Sequence, residues 1–250
     1  MLKNEREREI ISLMKERGGF ITVGELCNLL YASESSVRRD LTRLERHGAL
    51  KRVYGGAELI TNFSSVVSFG YRSHENVAEK KIVAKKSASL IKDGDVIFID
   101  QSSTALYLCH EILENTTLTV VTNNIEIVNL LSQTGIKTIV TGGILCPENR
   151  TCLVGADAIA TFNSIHADLA FFSSKSLTDE GVIYDCSKEE VEVRAAMLKN
   201  ATRKVFMCTS EKLSTQSAYR QCPLSDLDYF VSDETDLSRY LRNAPRVKTL

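Results

Sequence analysis

This 250-residue chain has no excess of positive charge. Its formal net charge is −1 at pH 7, so no global basic field draws it to nucleic acid, and any DNA binding has to be local. No apolar run approaches the length of a bilayer span, which excludes a membrane-crossing helix. The first residues are charged (Lys3, Glu5, Arg6, Glu7, Arg8, Glu9), unlike a secretory or transit peptide. The seven cysteines, at 27, 109, 146, 152, 186, 208 and 222, include no CxxC pair. Their odd number argues against a fully paired disulfide framework. Several lie in apolar runs such as Val-Phe-Met-Cys208, where a buried free thiol is expected. The four histidines are scattered, and no Cys, His, Asp or Glu cluster has metal-ligand spacing, so neither metal nor other cofactor is expected. Internal repeats and low-complexity tracts are also missing. These exclusions leave a cytoplasmic protein of a reducing compartment.

What is present suits two domains. Hydrophobic residues make up 43% and charged residues 25% of the chain, enough to build substantial cores over this length. Residues 1–56 hold eleven Lys/Arg against eight Asp/Glu, a net of +3, leaving about −4 for the remainder. That asymmetry has the sign expected of a small DNA-reading module on a mildly acidic partner.

The spacing of Ile10, Ile11, Leu13 and Met14 predicts a helix over 5–17, stopped by Gly18 and Gly19. Thr22 and Glu25 have capping-box spacing before a second helix through Leu26, Leu29 and Leu30. Tyr31-Ala-Ser33 forms the turn. Ser33 or Ser35 caps a third helix, with Val37, Leu41 and Leu44 at core spacing and Gly48 at its end. Leu50 to Tyr54 alternates as a strand, and Gly55-Gly56 permits a tight reversal. Residues 1–57 thus read as a winged helix-turn-helix, with 58–78 as a linker in which Thr61 to Ser65 lacks periodicity.

Ser35, Ser36, Arg38, Arg39 and Arg43 lie off the apolar stripe of the third helix. Early residues of a recognition helix reach base edges, a task suited to short hydroxyls and arginines. Arg38, Arg39, Arg43, Arg46, Lys51 and Arg52 are candidates for phosphate, while Asp40 is expected to orient an arginine. With Thr22, Ser33, Tyr54 and Gly55, these residues form the candidate interface with double-stranded operator DNA.

From residue 79 to 250 strands alternate with helices. Apolar strands are expected at 95–100, 118–122, 136–141, 167–172, 204–208 and 228–232, and helices at 79–91, 103–114, 124–134, 155–164 and 187–200. This pattern gives an α/β domain whose largely parallel sheet is covered on both faces. In such sheets ligands bind beyond the strand C-termini. The first strand delivers Asp100, Gln101, Ser102, Ser103 and Thr104 to a helix start. The second delivers Thr122, Asn123 and Asn124, and the third ends in Gly142 and Gly143. Hydroxyls and backbone N–H groups at helix starts suit a phosphate.

Val37-Arg-Arg-Asp-Leu41, Leu44-Glu45, Gly48 and Arg52-Val-Tyr-Gly-Gly-Ala57 resemble the signature of DeoR-family bacterial transcriptional regulators, and the resemblance extends over essentially the whole chain. It implies an N-terminal winged helix-turn-helix and a Rossmann-like α/β effector domain over 79–233, similar in fold to ribose-5-phosphate isomerase and CoA-transferase-type domains. Family members typically sense phosphorylated sugars or related metabolites. Asp100-Gln-Ser-Ser-Thr104 matches the family's Asp-x-Gly-Thr-Thr-like loop, Thr122-Asn123 its Thr-Asn and Gly142-Gly143 its Gly-Gly. Asp179-Glu-Gly181 sits in the expected later loop. Arg194 stands where lysine is frequent, and Ser210 and Lys212 match a late Ser-x-Lys. Ser102, Ser173 and Ser176 replace common glycines, and Thr209 a frequent aspartate. Lys175 with Arg194 and Lys212 still favours an anionic effector.

The resemblance therefore implies a regulator, more a repressor than an activator, of a carbohydrate-metabolism operon. It would act as a homo-oligomer, a dimer or tetramer, because one module makes too small an interface for strong specificity. The competing expectation is a sugar-phosphate isomerase or acyl transferase with an added DNA-binding module, using Asp100, Glu180, Asp185 and Glu189 as acid–base carboxylates. No nucleophile–base pair supports it.

Overall fold

The computed structural model describes residues 3–60 and 67–250. The chain divides into two compact units, residues 1–75 and 76–250.

In the first unit, α1 (Lys3–Glu16) buries Ile10, Ile11 and Met14. It ends at Gly18 and Gly19, whose φ angles of 74° and 97° are left-handed. Strand β1 (Phe20–Thr22) leads into α2 (Val23–Leu30) through a complete capping box. The Thr22 hydroxyl accepts from Glu25 N–H at 3.2 Å, and the Glu25 carboxylate accepts from Thr22 N–H at 2.9 Å. Helix α3 (Glu34–Arg46) buries Val37, Leu41 and Leu44 against the other two helices' apolar faces. Strands β2 (Leu50–Val53) and β3 (Gly56–Leu59) form the wing, extended by β1 in the order β1-β3-β2. Gly55 takes a φ of 79° at the wing tip. Gly56 serves a different need, because a Cβ there would lie 2.3 Å from the Ile21 carbonyl oxygen across the β1–β3 pair.

The expected linker over 58–78 is partly structured. Strand β3 reaches Leu59, and α4 (Phe69–Arg72) buries Phe69. Ser68 N–H donates to the His47 carbonyl at 2.9 Å, so 67–75 belongs to the first unit. Residues 61–65, read as linker, lie outside the described residues.

The second unit begins with α5 (Val77–Ala88), β4 (Val96–Ile99), α6 (Ser103–Glu111), β5 (Thr119–Thr122), α7 (Ile125–Leu131) and β6 (Lys137–Val140). A short hairpin, β7 (Ile144–Leu145) and β8 (Leu153–Val154), precedes α8 (Ala156–Asn163) and β9 (Ala167–Phe172). After β10 (Ser176–Leu177) and β11 (Val182–Asp185) come α9 (Lys188–Lys199) and β12 (Ala201–Cys208). The last strands are β13 (Tyr219–Pro223), β14 (Tyr229–Ser232) and β15 (Lys248–Thr249).

The main sheet is parallel throughout, in the order β15-β14-β12-β9-β4-β5-β6. Alternation sends Phe98 to one face and Ile97 and Ile99 to the other, and each face supports its own buried cluster. Helices α8 and α9 cover the first face, and α5, α6 and α7 the second. A separate antiparallel sheet, β10-β11-β13, has no counterpart in the sequence reading. Strand order reverses between β4 and β9, the topological switch point where open α/β sheets place ligands.

Candidate functional site

On α3, Arg38, Arg39 and Arg46 are exposed, as are Lys51, Arg52, Tyr54 and Gly55 on the wing. Ser33 is the N-cap residue, yet its hydroxyl makes no cap bond. It lies instead 3.0 Å from the Ser36 hydroxyl and 3.2 Å from that of Ser35, so three hydroxyls cluster at the positive end of the helix. Helix and wing are joined by Arg52, whose backbone N–H donates to Glu45 Oε1 at 2.8 Å and whose guanidinium donates to Thr42 Oγ1 at 2.7 Å. Glu34 holds Arg38 one turn back at 2.6 Å, an exposed pair that DNA phosphates can replace at small cost.

Two expected contacts are placed otherwise. Arg43 is turned inward onto Asp40 and onto Glu7 at 2.6 Å, and Arg6 also pairs with Asp40. Asp40 is only 1% exposed, so its charge requires these cations, and Arg43 is a structural tie instead of a phosphate contact. The Thr22 hydroxyl is engaged by Glu25 on both its donor and acceptor sides. Tyr31, in none of the expected contacts, is 97% exposed at the left-handed turn between α2 and α3. An aromatic residue in that turn was the available signal.

In the second unit, Asp100, Gln101, Ser102, Ser103, Thr104, Thr122, Asn123 and Asn124 are all buried at the C-terminal ends of β4 and β5. Ser102 caps α6 by accepting from Ala105 N–H, and Asn124 caps α7 by accepting from Glu126 N–H. Gly142 and Gly143 follow β6, and at Gly143 a Cβ would meet the Val154 carbonyl oxygen at 2.4 Å. Along this edge several buried polar atoms find no partner among the described residues: Thr104 Oγ1, Asn123 Oδ1, Asn124 Nδ2 and Thr141 Oγ1. Buried polar groups are ordinarily paired. Four orphans at three consecutive strand ends indicate a place built to receive hydrogen bonds.

The switch point itself is filled by charge. Asp100 accepts from the backbone N–H groups of Ser102 and Ser173, at 3.0 and 3.2 Å. Its other partner is Arg194 Nε at 3.2 Å, and Arg194 also donates to Asp185 at 3.0 Å and Gln221 at 2.9 Å. Arg194 is 2% exposed. Burial opposes its charge, but Asp185, Asp100 and Glu190 outweigh that and raise its pKa above the ordinary value. Arg194, expected to meet an anionic effector, is thus already neutralised by two carboxylates and acts as a strut beneath the site. Lys212 is half-buried and donates to the Ser173 hydroxyl at 2.8 Å, over the same strand ends. Lys175 is exposed on the β9–β10 connection. Ser173, in place of a common glycine, uses its hydroxyl on the Met207 carbonyl at 2.6 Å.

The four carboxylates considered for acid–base chemistry do not form one site. Asp100 and Asp185 are bound to Arg194, whereas Glu180 and Glu189 are exposed. Sequence reading missed Glu190, which receives the Gln101 and Asn149 amides at 2.9 Å each. Its helical spacing of four from Arg194 was the signal that both share one face of α9. The reading also expected no metal-ligand cluster, but the fold brings Cys146, Cys152 and Glu190 together. The hydrogen bond from Cys152 holds the Cys146 thiol below its usual pKa.

Residues 6–63 match the DeoR-like helix-turn-helix domain, and residues 75–234 match the DeoR C terminal sensor domain. The chain is 34% identical over 236 residues to the HTH-type transcriptional regulator GolR of Listeria innocua, covering 93% of this chain and 91% of that one. It is 31% identical to the HTH-type transcriptional repressor GlcR of Bacillus subtilis, with 93% and 89% covered. Identity to the lactose phosphotransferase system repressor of Staphylococcus aureus is 30%, with 94% of each chain covered. Among solved structures, ribose 5-phosphate isomerase A of Methanocaldococcus jannaschii is similar at 19% identity and a TM-score of 0.43, covering 56% of this chain and 55% of that one.

Proposed function

The chain belongs to the DeoR family of HTH-type transcriptional regulators, and on that premise we propose that it is a repressor of a carbohydrate operon, released or engaged by a phosphorylated sugar or related anionic metabolite. Family membership makes it a DNA-binding regulator and not an enzyme. Two similar proteins are named as repressors, one of them of a lactose phosphotransferase system. Arg38, Arg39, Ser35 and Ser36 read the major groove, while Arg46, Lys51, Arg52 and the Tyr54-Gly55 tip hold phosphates. Two copies bind half-sites about 34–36 Å apart, one helical turn of DNA.

The observation that carries the effector reading is the row of orphaned polar atoms on Thr104, Asn123, Asn124 and Thr141. A hydroxyl-rich, charged ligand satisfies such groups where an apolar one would leave them unpaired. Lys212 supplies a cation at the neighbouring strand ends, and the start of α6 supplies N–H donors. The ligand acts only through a difference in affinity between the operator-bound and free arrangements.

The test is a thermal-shift screen of the full chain with pentose and hexose phosphates, beside the unphosphorylated sugars and inorganic phosphate. Operator gel shifts and assays for turnover accompany it. Stabilisation by a phosphorylated compound that also changes operator affinity, without turnover, is the expected result. Stabilisation by none of them, or conversion of the compound, would sink the proposal.

A further inference from the structure

Hairpin β7–β8 and helix α9 bring two thiols and a carboxyl group together below the hairpin tip. Cys146 and Cys152 are fully buried and Glu190 is 5% exposed. Their two Sγ atoms and one carboxylate oxygen lie within 4.8 Å of one another. Cys152 Sγ is 3.8 Å from Glu190 Oε1, and Cys146 Sγ is 3.4 Å from Oε2 of the exposed Glu148. We propose that Cys146, Cys152 and Glu190 form a divalent-metal site for Zn2+.

The donor set selects the ion. Two thiolates with carboxylate oxygens suit Zn2+, whereas Mg2+, Ca2+ and Mn2+ favour oxygen alone. The backbone holds the sulfurs in place before any ion arrives. Ile144 and Leu145 pair with Val154 and Leu153, and Cys146 N–H continues the ladder by donating to the Cys152 carbonyl at 3.0 Å. The two cysteines therefore face each other across the hairpin. The carboxylate is oriented too, by Asn149 on Oε1 and Gln101 on Oε2, the kind of outer support that metal ligands have.

Charge points the same way. Among the described residues Glu190 makes no direct ion pair, and Arg194, one turn along α9, feels its charge but is hydrogen-bonded to Asp100 and Asp185. Three carboxylates about one guanidinium leave a buried negative surplus, which a bound cation offsets. On binding, each thiol releases its proton to solvent, so two protons leave as one dication enters. The hairpin is also tied to the end of β5. Leu153 N–H donates to the Asn123 carbonyl at 2.9 Å, and the Asn123 amide donates to the Leu153 carbonyl at 3.0 Å. The ion would lock α9 to the wall that presents Asn123, independently of what ligand that edge holds.

The test titrates reduced, metal-free full-length protein with Co2+ as a spectroscopic probe and then displaces it with Zn2+. One equivalent of Co2+ should give thiolate-to-metal charge-transfer absorption, removed by Zn2+, and Zn2+ should raise the melting temperature. Cys146→Ser and Cys152→Ser should each abolish the band. Glu190→Gln should weaken binding about tenfold or more, and Cys27→Ser and Cys222→Ser should leave it intact. Should the serine variants fail to fold, X-ray absorption at the zinc edge of the unaltered protein reads the ligands directly. Two sulfurs at about 2.3 Å with oxygen neighbours at about 2.0–2.2 Å are expected. The proposal is overturned by absence of the band, by its survival in both serine variants, or by zinc bound to nitrogen and oxygen alone. It is equally overturned if protein isolated without oxidant carries a Cys146–Cys152 disulfide, which would make the pair a redox couple.

Discussion

Arg194 shows how much a single residue's meaning depends on its partners. Its guanidinium is buried and held by Asp100 and Asp185, and Asp100 also accepts from two backbone N–H groups, so neutralising that carboxylate breaks a buried, hydrogen-bonded ion pair. Asp100→Asn should therefore destabilise the sensor domain by about 3 kcal/mol, lowering its melting temperature by roughly 6–12 °C. An unchanged melting curve would contradict the strut role. The thiols carry a second prediction at this scale. Burial pushes Cys208 up to about 12 and Cys109 higher still, and thiolate is the reactive form. In native protein at pH 8 both should resist alkylation, and become modified only after denaturation. Peptide mapping by mass decides the matter, and rapid native labelling of either would refute the burial.

Among the elements, α2 and α3 do different work. The cap of α2 is local: Thr22 and Glu25 satisfy each other, and the hydrogen bonds from Thr22 hold the Glu25 carboxyl below its usual pKa. A lowered folded-state pKa means stability that is present above the unfolded carboxylate pKa and lost as pH falls through the folded one. Unfolding of the N-terminal unit should thus become easier in acid, and Thr22→Ala should remove roughly 1 kcal/mol together with part of that acid dependence. Circular dichroism melts across the acid range would show it, and an identical acid profile for the variant would deny it. On α3, the exposed Arg38 and the inward Arg43 should separate cleanly. Arg38→Ala should cost about 1–3 kcal/mol of operator affinity with little loss of stability. Arg43→Ala should instead destabilise the unit, because Asp40 loses one of its two cations. Gel shifts at several salt concentrations beside thermal melts test both, and a purely DNA-binding defect in Arg43→Ala would reverse the assignment.

At the scale of the whole molecule, each unit has its own buried cluster, one around Leu26, Val37 and Leu41 and two flanking the parallel sheet. Units with separate cores are expected to fold separately. A fragment spanning 76–250 should retain stabilisation by phosphorylated sugars and lose all operator binding. Should the fragment fold but show no response to any ligand that stabilises the full chain, the effector edge would not be self-sufficient.

Much of this architecture was legible along the chain, for a definite reason. The six expected strands lie in the observed parallel sheet because strands buried on both faces are continuous apolar runs. The capping box at Thr22 and Glu25 and the glycine stops are likewise local chemistry, written within a few residues. The antiparallel β10-β11-β13 sheet was not legible, because two-residue β10 carries no period to read. Side-chain partnerships escaped for a related reason. Arg43 meets Glu7 across 36 residues and Arg194 meets Asp100 across 94, so their charges looked available until folding paired them. Cys146 and Cys152 had unremarkable spacing, and only α9 packing beneath their hairpin added Glu190 as a third donor. Periodicity and capping are settled by neighbours in sequence, whereas the fate of a buried charge is settled by whichever opposite charge the fold carries to it.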